Sequence, residues 1–188
     1  LATNQLEKAI ALSAEWKKEA SSDPQGFLLA GEVALRENDL VKAEAEFLSA
    51  SALAPNNNKV KMALIGLDIR SEKLDAAVTK LENLIAISSD NLPALTAYFA
   101  IKQQQGNASE GMQPTLAQLQ KTPQNADIVV LAARMRASDS SYDEALALLK
   151  SIAADKNAPN TFWPTKGMAL LQSGNIKEAE AHYETWIE

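Results

Sequence analysis

The 188-residue chain contains no cysteine and a single histidine, His182. The first absence removes disulfides, thiolate metal sites and a cysteine nucleophile, and leaves the redox compartment open. With one His and no Cys, no Ser–His–Asp constellation stands out, and there is no zinc site of ordinary composition. Aromatic residues make up 5% of the chain, and Ala and Leu dominate the apolar set, which favours close helix–helix contacts over a β-rich core. No apolar run approaches the roughly 20 residues needed to cross a bilayer. Acidic residues outnumber basic ones, 24 to 18, for a net charge of −6 and a pI near 4.9, which argues against a general nucleic-acid surface. What remains, 46% hydrophobic and 22% charged, is the composition of a packed protein. Leu1-Ala2-Thr3-Asn4 leads straight into a helical pattern with no initiator Met and no signal peptide, as expected of a piece of something longer.

The organising stretch is Pro24 to Asn57. Two amphipathic runs flank a polar Glu37-Asn38-Asp39 turn, and Pro55-Asn56-Asn57 closes the unit. Its landmarks are Phe27-x2-Ala30-Gly31-x2-Ala34, then Ala43-x3-Phe47, then Pro55. The phase recurs: Ala9, Ala43, Ala77, Gly111, Ala145 and Ala179 fall 34 residues apart without insertion or deletion. Order and spacing resemble the tetratricopeptide repeat (TPR) signature, with Phe in the Trp position, and the resemblance covers essentially the whole chain. It implies an all-α fold, a right-handed α-α superhelix of antiparallel helix pairs, because a 34-residue hairpin buries its apolar face only by stacking on neighbours.

The expected organisation is one array over 1–188. Residues 1–23 form the second helix of a partial repeat, with Leu6, Ile10, Leu12 and Trp16 as its stripe. Full repeats follow at 24–57, 58–91, 92–125 and 126–159, and 160–188 is an incomplete last one. Asp23 is the expected N-cap before Pro24. In the second repeat Leu74, Ala77, Leu81, Leu84 and Ile87 form the stripe of the second helix. Pro114 predicts a late start or a bend in helix 110–121. Ser141-x-x-Glu144 reads as a capping box ahead of Ala145, Leu148, Leu149 and Ile152. Tyr183, Trp186 and Ile187 at one end, and Leu6 or Ile10 at the other, are expected to lack neighbours, which would allow end-to-end self-association.

Chemistry-bearing patterns are sparse. His182 reads as a surface helix residue. Gly26-x4-Gly31 has phosphate-loop spacing, but Glu32 follows where Lys is required, so its glycines point to helix packing. The carboxylates Glu44/Glu46 and Glu178/Glu180/Glu184 read as solvated helix faces and not calcium ligands. Asn107-Ala108-Ser109 is a formal glycosylation sequon. Trp16, Trp163 and Trp186 recur at core-like positions and not as a sugar-stacking row. The expectation is therefore no enzyme, no cofactor, no metal site and no nucleic-acid partner.

The TPR resemblance also implies a groove lined by first-helix positions 2, 5, 9, 12 and 13. Carried onto this chain, the partner-binding candidates are Gln25, Leu28, Glu32, Arg36, Lys59, Met62, Arg70, Gln103 and Arg134. Arg36 and Arg70 stand one period apart and form, with Lys59 and Arg134, a basic, partly apolar strip suited to an extended acidic or mixed peptide. Leu28 and Glu32 replace the groove residues of the co-chaperone type that grips a terminal carboxylate. The Ala/Leu/Gln-rich repeats and the block FWPTKGMALLQSGNIKEAEAHYETWIE are also similar to bacterial TPR-repeat lipoproteins of the PEP-CTERM sorting and exopolysaccharide system (PrsT-like). That likeness implies a cell-envelope scaffold; the composition fits a cytosolic scaffold equally. An architectural spacer without a peptide ligand is the alternative reading.

Overall fold

A computed structural model describes residues 2–187, with side chains from 5 to 186; the side chain of Ile187 and all of Glu188 lie outside the described residues. Among the described residues there is no strand, and eleven helices follow in order: α1 (Ala2–Glu19), α2 (Pro24–Arg36), α3 (Leu40–Leu53), α4 (Asn58–Arg70), α5 (Leu74–Ile87), α6 (Leu92–Gln104), α7 (Ala108–Lys121), α8 (Ala126–Ser138), α9 (Tyr142–Leu149), α10 (Phe162–Gln172) and α11 (Ile176–Ile187). Among the described residues no helix is long and apolar enough to cross a membrane. The chain divides into two compact units, 1–84 and 85–188.

The 34-residue period is written into the backbone. Asn38, Glu72, Gly106, Ser140 and Gly174 all take left-handed φ, between 58° and 81°. Each follows a first helix and is accompanied by the same bond from the next amide to a carbonyl five residues back: Asp39 to Ala34, Lys73 to Asp68, Asn107 to Lys102, Ser141 to Arg136 and Asn175 to Leu170, at 2.7–2.9 Å. This is a Schellman-type C-cap, which satisfies a terminal carbonyl and turns the chain into the second helix. First-helix starts repeat as well. Asp23, Asn57, Asn91 and Asn125 each accept an amide hydrogen bond of the first turn.

Side-chain bulk is exchanged between the paired helices. Gly31 meets the Phe47 ring and Gly167 the Tyr183 ring, and the equivalent positions of the other repeats carry Ile65 and Leu81, Phe99 and Thr115, Ala133 and Leu149. Where the first helix has glycine the second has an aromatic ring; where the first has Phe99 the second has a small Thr. Close packing demands such compensation, since an interior tolerates neither voids nor overlap. The core of the first unit gathers Leu28, Ala34, Ala43, Phe47, Ala50, Val60 and Leu67. The second unit has one cluster around Leu95, Phe99, Met112 and Ile128 and another around Val130, Ala133, Leu149, Phe162 and Trp163.

Several expectations are corrected. In α1 the inward face carries buried Ser13 and half-buried Ala9 and Trp16, while Ile10 and Leu12 are exposed. The inward positions follow the 34-residue register, which puts Ser13 where Phe47 stands. Ile87 is exposed at the last residue of α5. Helix α7 starts at Ala108, so it does not start late; Pro114 lies inside it and cannot donate to the Glu110 carbonyl. Ser141 makes no side-chain capping bond, and the Glu144 carboxylate, the other half of the expected box, pairs with Arg136 at 3.2 Å. Helix α9 ends at Leu149, leaving Ile152 in an irregular stretch before α10.

His182 is buried, not superficial. Its Nε2–H donates to the Trp163 carbonyl at 2.9 Å, and its ring stacks on the Trp163 indole, centroids 5.1 Å apart. Burial lowers its pKa from 6.5, with the nearby Lys166 charge adding to the effect and the hydrogen bond opposing it. Tyr183 is not left bare, since it packs against Gly167. Trp186 is half-exposed, its ring parallel to that of Trp163.

Candidate functional site

In the first unit, α1, α2 and α4 enclose an open groove of about 760 Å³ lined by Gln5, Leu6, Ala9, Leu29, Glu32, Val33, Arg36 and Arg70. Helix geometry explains who faces it. Glu32 and Arg36 are four residues apart on α2 and share a face, with Leu29 and Val33 beside them. Arg36 and Arg70 occupy the last turns of α2 and α4, where a cation is favoured by the helix dipole. The Arg70 guanidinium is steadied by a 3.2 Å hydrogen bond from Nη2 to the Asn38 side-chain carbonyl. Asn38 is offered from the left-handed turn that closes α2.

In the second unit a groove of about 560 Å³ runs over α6 and α8, lined by Leu92, Pro93, Thr96, Ala97, Ala100, Asp127, Val130, Leu131, Arg134 and Thr161. Arg134 donates to Thr96 Oγ1 at 3.2 Å, which ties α8 to α6 across the groove floor. This groove is mostly apolar, with one cation and one carboxylate.

The structure thus brings Glu32, Arg36 and Arg70 together and sets Arg134 in a separate groove. Lys59, Met62 and Gln25 lie outside the lining of the first groove, and Gln103 lies outside that of the second, reaching weakly to Ser138 at 3.4 Å. Leu28 must be withdrawn as a groove residue. It is 6% exposed and packs in the core, because α2 rolls its fifth residue toward its neighbours. Sequence reasoning missed the contribution of α1, namely Gln5, Leu6 and Ala9. The signal was available in the 34-residue register, which makes Ala9 the equivalent of the buried Ala43. Among the described residues no cluster of His, Asp and Glu is arranged to hold a metal ion.

No family model matches the chain, and no curated protein matches it in sequence. Similarity to solved structures is clear. A tetratricopeptide repeat protein from Parabacteroides merdae superposes with a TM-score of 0.58 at 15% identity, over 88% of this chain and 65% of that one, so the chain spans just under two thirds of its length. A thermophilic TPR protein of Thermus thermophilus gives 0.61 at 19% identity, over 86% of this chain and 88% of the other. YrrB, a TPR protein with an unusual peptide-binding site, gives 0.52 at 19% identity, over 92% and 86%. At these identities the likeness concerns the fold, and the fold is the TPR solenoid.

Proposed function

We propose that the chain is an interaction scaffold that holds an extended peptide or a segment of a partner protein in these grooves, without chemistry of its own. The observation that carries the reading is the first groove. It is wide, open and apolar on its α1–α2 side, and two arginines rim it. An extended segment suits such a site because its side chains alternate between apolar wall and charged rim. Structural similarity to a TPR protein with a peptide-binding site supports the same assignment. The similarity of the repeats to PEP-CTERM-system lipoproteins supports placing the scaffold in bacterial cell-envelope sorting or exopolysaccharide export.

The test is retention of peptides from a random 12-residue pool by the wild-type chain and by plugged variants. Gln5→Trp fills the first groove and Ala100→Trp the second, both from exposed positions. Loss of retention in one of them, with Ala45→Trp on the exposed side of α3 as control, supports the scaffold. Equal retention by all three removes it.

A second reading is favoured by one observation. Trp186 and Ile176 on α11 are 46% and 51% exposed, an apolar face suited to end-to-end self-association in a structural spacer. Sedimentation that finds only monomer at high concentration removes that reading.

A further inference from the structure

In an acidic chain, two groove arginines stand in no ion pair among the described residues. Among the described residues the ion pairs engage Lys17, Lys42, Lys80, Lys102 and Arg136. Arg36 and Arg70 are in none of them, and Arg70 bonds a neutral amide, that of Asn38. With a net charge of −6, carboxylates are plentiful. Leaving two guanidinium groups unpaired on one rim therefore preserves them for something else.

Gly66 is the second, independent observation. It lies inside α4, one turn before Arg70, where glycine weakens a helix. The other helix-interior glycines are explained by neighbours. A Cβ at Gly26 would stand 3.1 Å from the Lys17 amide nitrogen, one at Gly111 would stand 3.1 Å from the Phe99 Cα, and Gly31 and Gly167 receive the Phe47 and Tyr183 rings. At Gly66 an added Cβ would meet nothing within 4 Å. Packing does not require this glycine. Its equivalent one repeat earlier is Glu32, which stands in the same relation to Arg36. One turn before Arg70 on α4 there is thus neither a side chain nor a charge, whereas Arg36 has the Glu32 carboxylate at that position.

We propose that the strip from Gly66 to Arg70, with Arg36 opposite, receives an acidic side chain of an extended partner peptide whose main chain crosses the bare Gly66. This rests on the groove reading above and names the ligand class. The partner's carboxylate bonds the guanidinium of Arg70, already oriented by Asn38, and Arg36 adds a second cation. Leu6, Leu29 and Val33 accept an adjoining apolar side chain. Glu32 opposes the carboxylate and restrains affinity.

The experiment retains a charge-balanced pool of random 12-residue peptides on the full chain and sequences what stays bound. The best peptide is then titrated against variants whose folding is checked by circular dichroism. Retained sequences are expected to be enriched in Asp and Glu. Affinity should fall about tenfold or more for Arg70→Gln and again for Arg36→Gln, the size of a charge-assisted bond to a partner. Glu32→Gln should tighten binding, and Gly66→Leu should weaken it without lowering the melting temperature. Retained peptides with no acid preference, or affinities that ignore the arginine and Gly66 changes, overturn the inference. If such peptides are still lost from Gln5→Trp, the groove reading survives; if they are not, it falls too. A wild-type chain that retains nothing overturns both.

Discussion

Gly31 lies flat against the ring of Phe47, so closely that a Cβ at position 31 would overlap the ring. The pair fixes how near α2 and α3 approach. Gly31→Ala should therefore destabilise by about 1–3 kcal/mol, the usual cost of forcing bulk into a packed interior. Phe47→Leu in the same chain should recover much of that loss, because Ala133 and Leu149 occupy the equivalent positions in a well-packed cluster. A double-mutant cycle by urea unfolding checks both statements. Additive losses would show that the two residues do not share one space.

The Thr115 hydroxyl is fully buried and has no hydrogen-bond partner among the described residues. Thr115→Val keeps the shape and removes the stranded polar atom. Thermal unfolding should show a gain of about 1 kcal/mol, the lower end of the cost of an unsatisfied buried group.

Glu72 and Ser140 hold left-handed backbone at turns where the same register elsewhere uses Gly106 and Gly174. Glu72→Gly and Ser140→Gly should each stabilise by about 1 kcal/mol, because the strain of a Cβ in that region outweighs the entropy that glycine adds to the unfolded chain. Melting temperatures decide it. Asn38 is the position to leave alone, since its side chain holds Arg70.

Burial holds the His182 pKa below its ordinary 6.5, so the folded chain favours the neutral ring. The unfolded chain then binds the proton more readily, and stability rises with pH through this window. The contribution is fully present above pH 6.5 and is lost as pH falls toward the folded-state value. Trp163 stacks on the His182 ring and lies parallel to Trp186, so tryptophan fluorescence reports the loosening of α10 and α11. His182→Gln should flatten the pH dependence between 5 and 7, and an unchanged slope would remove His182 as its source.

The repeat was legible because each copy restates the same small residues, caps and turns at one spacing. Ala43, Ala77, Ala145 and Ala179 mark the tight crossings, and the structure adds the periodic left-handed turns that no side-chain pattern shows where Glu72 and Ser140 stand in for glycine. Burial at single positions was harder to read. Leu28 and Ile10 are both apolar residues on amphipathic helices, and which of them turns inward depends on the rotation of a helix against two neighbours. His182 misled for a related reason: a lone polar residue between Ala181 and Tyr183 gives no sign that a carbonyl on α10 awaits it. Arg36 and Arg70 were legible as a periodic pair, but their absence from the ion pairs among the described residues and the clearance at Gly66 emerge only in three dimensions.

The central claim, that a peptide lies in the first groove, is tested most directly by cross-linking. The chain has no cysteine, so single cysteines can be introduced and labelled with a photoreactive group. Glu32→Cys places the label in the groove, and Ala45→Cys places it on the exposed side of α3. The account predicts that a peptide selected on the wild-type chain cross-links to the label at 32 and not to that at 45. Cross-linking at 45 with none at 32 would contradict it.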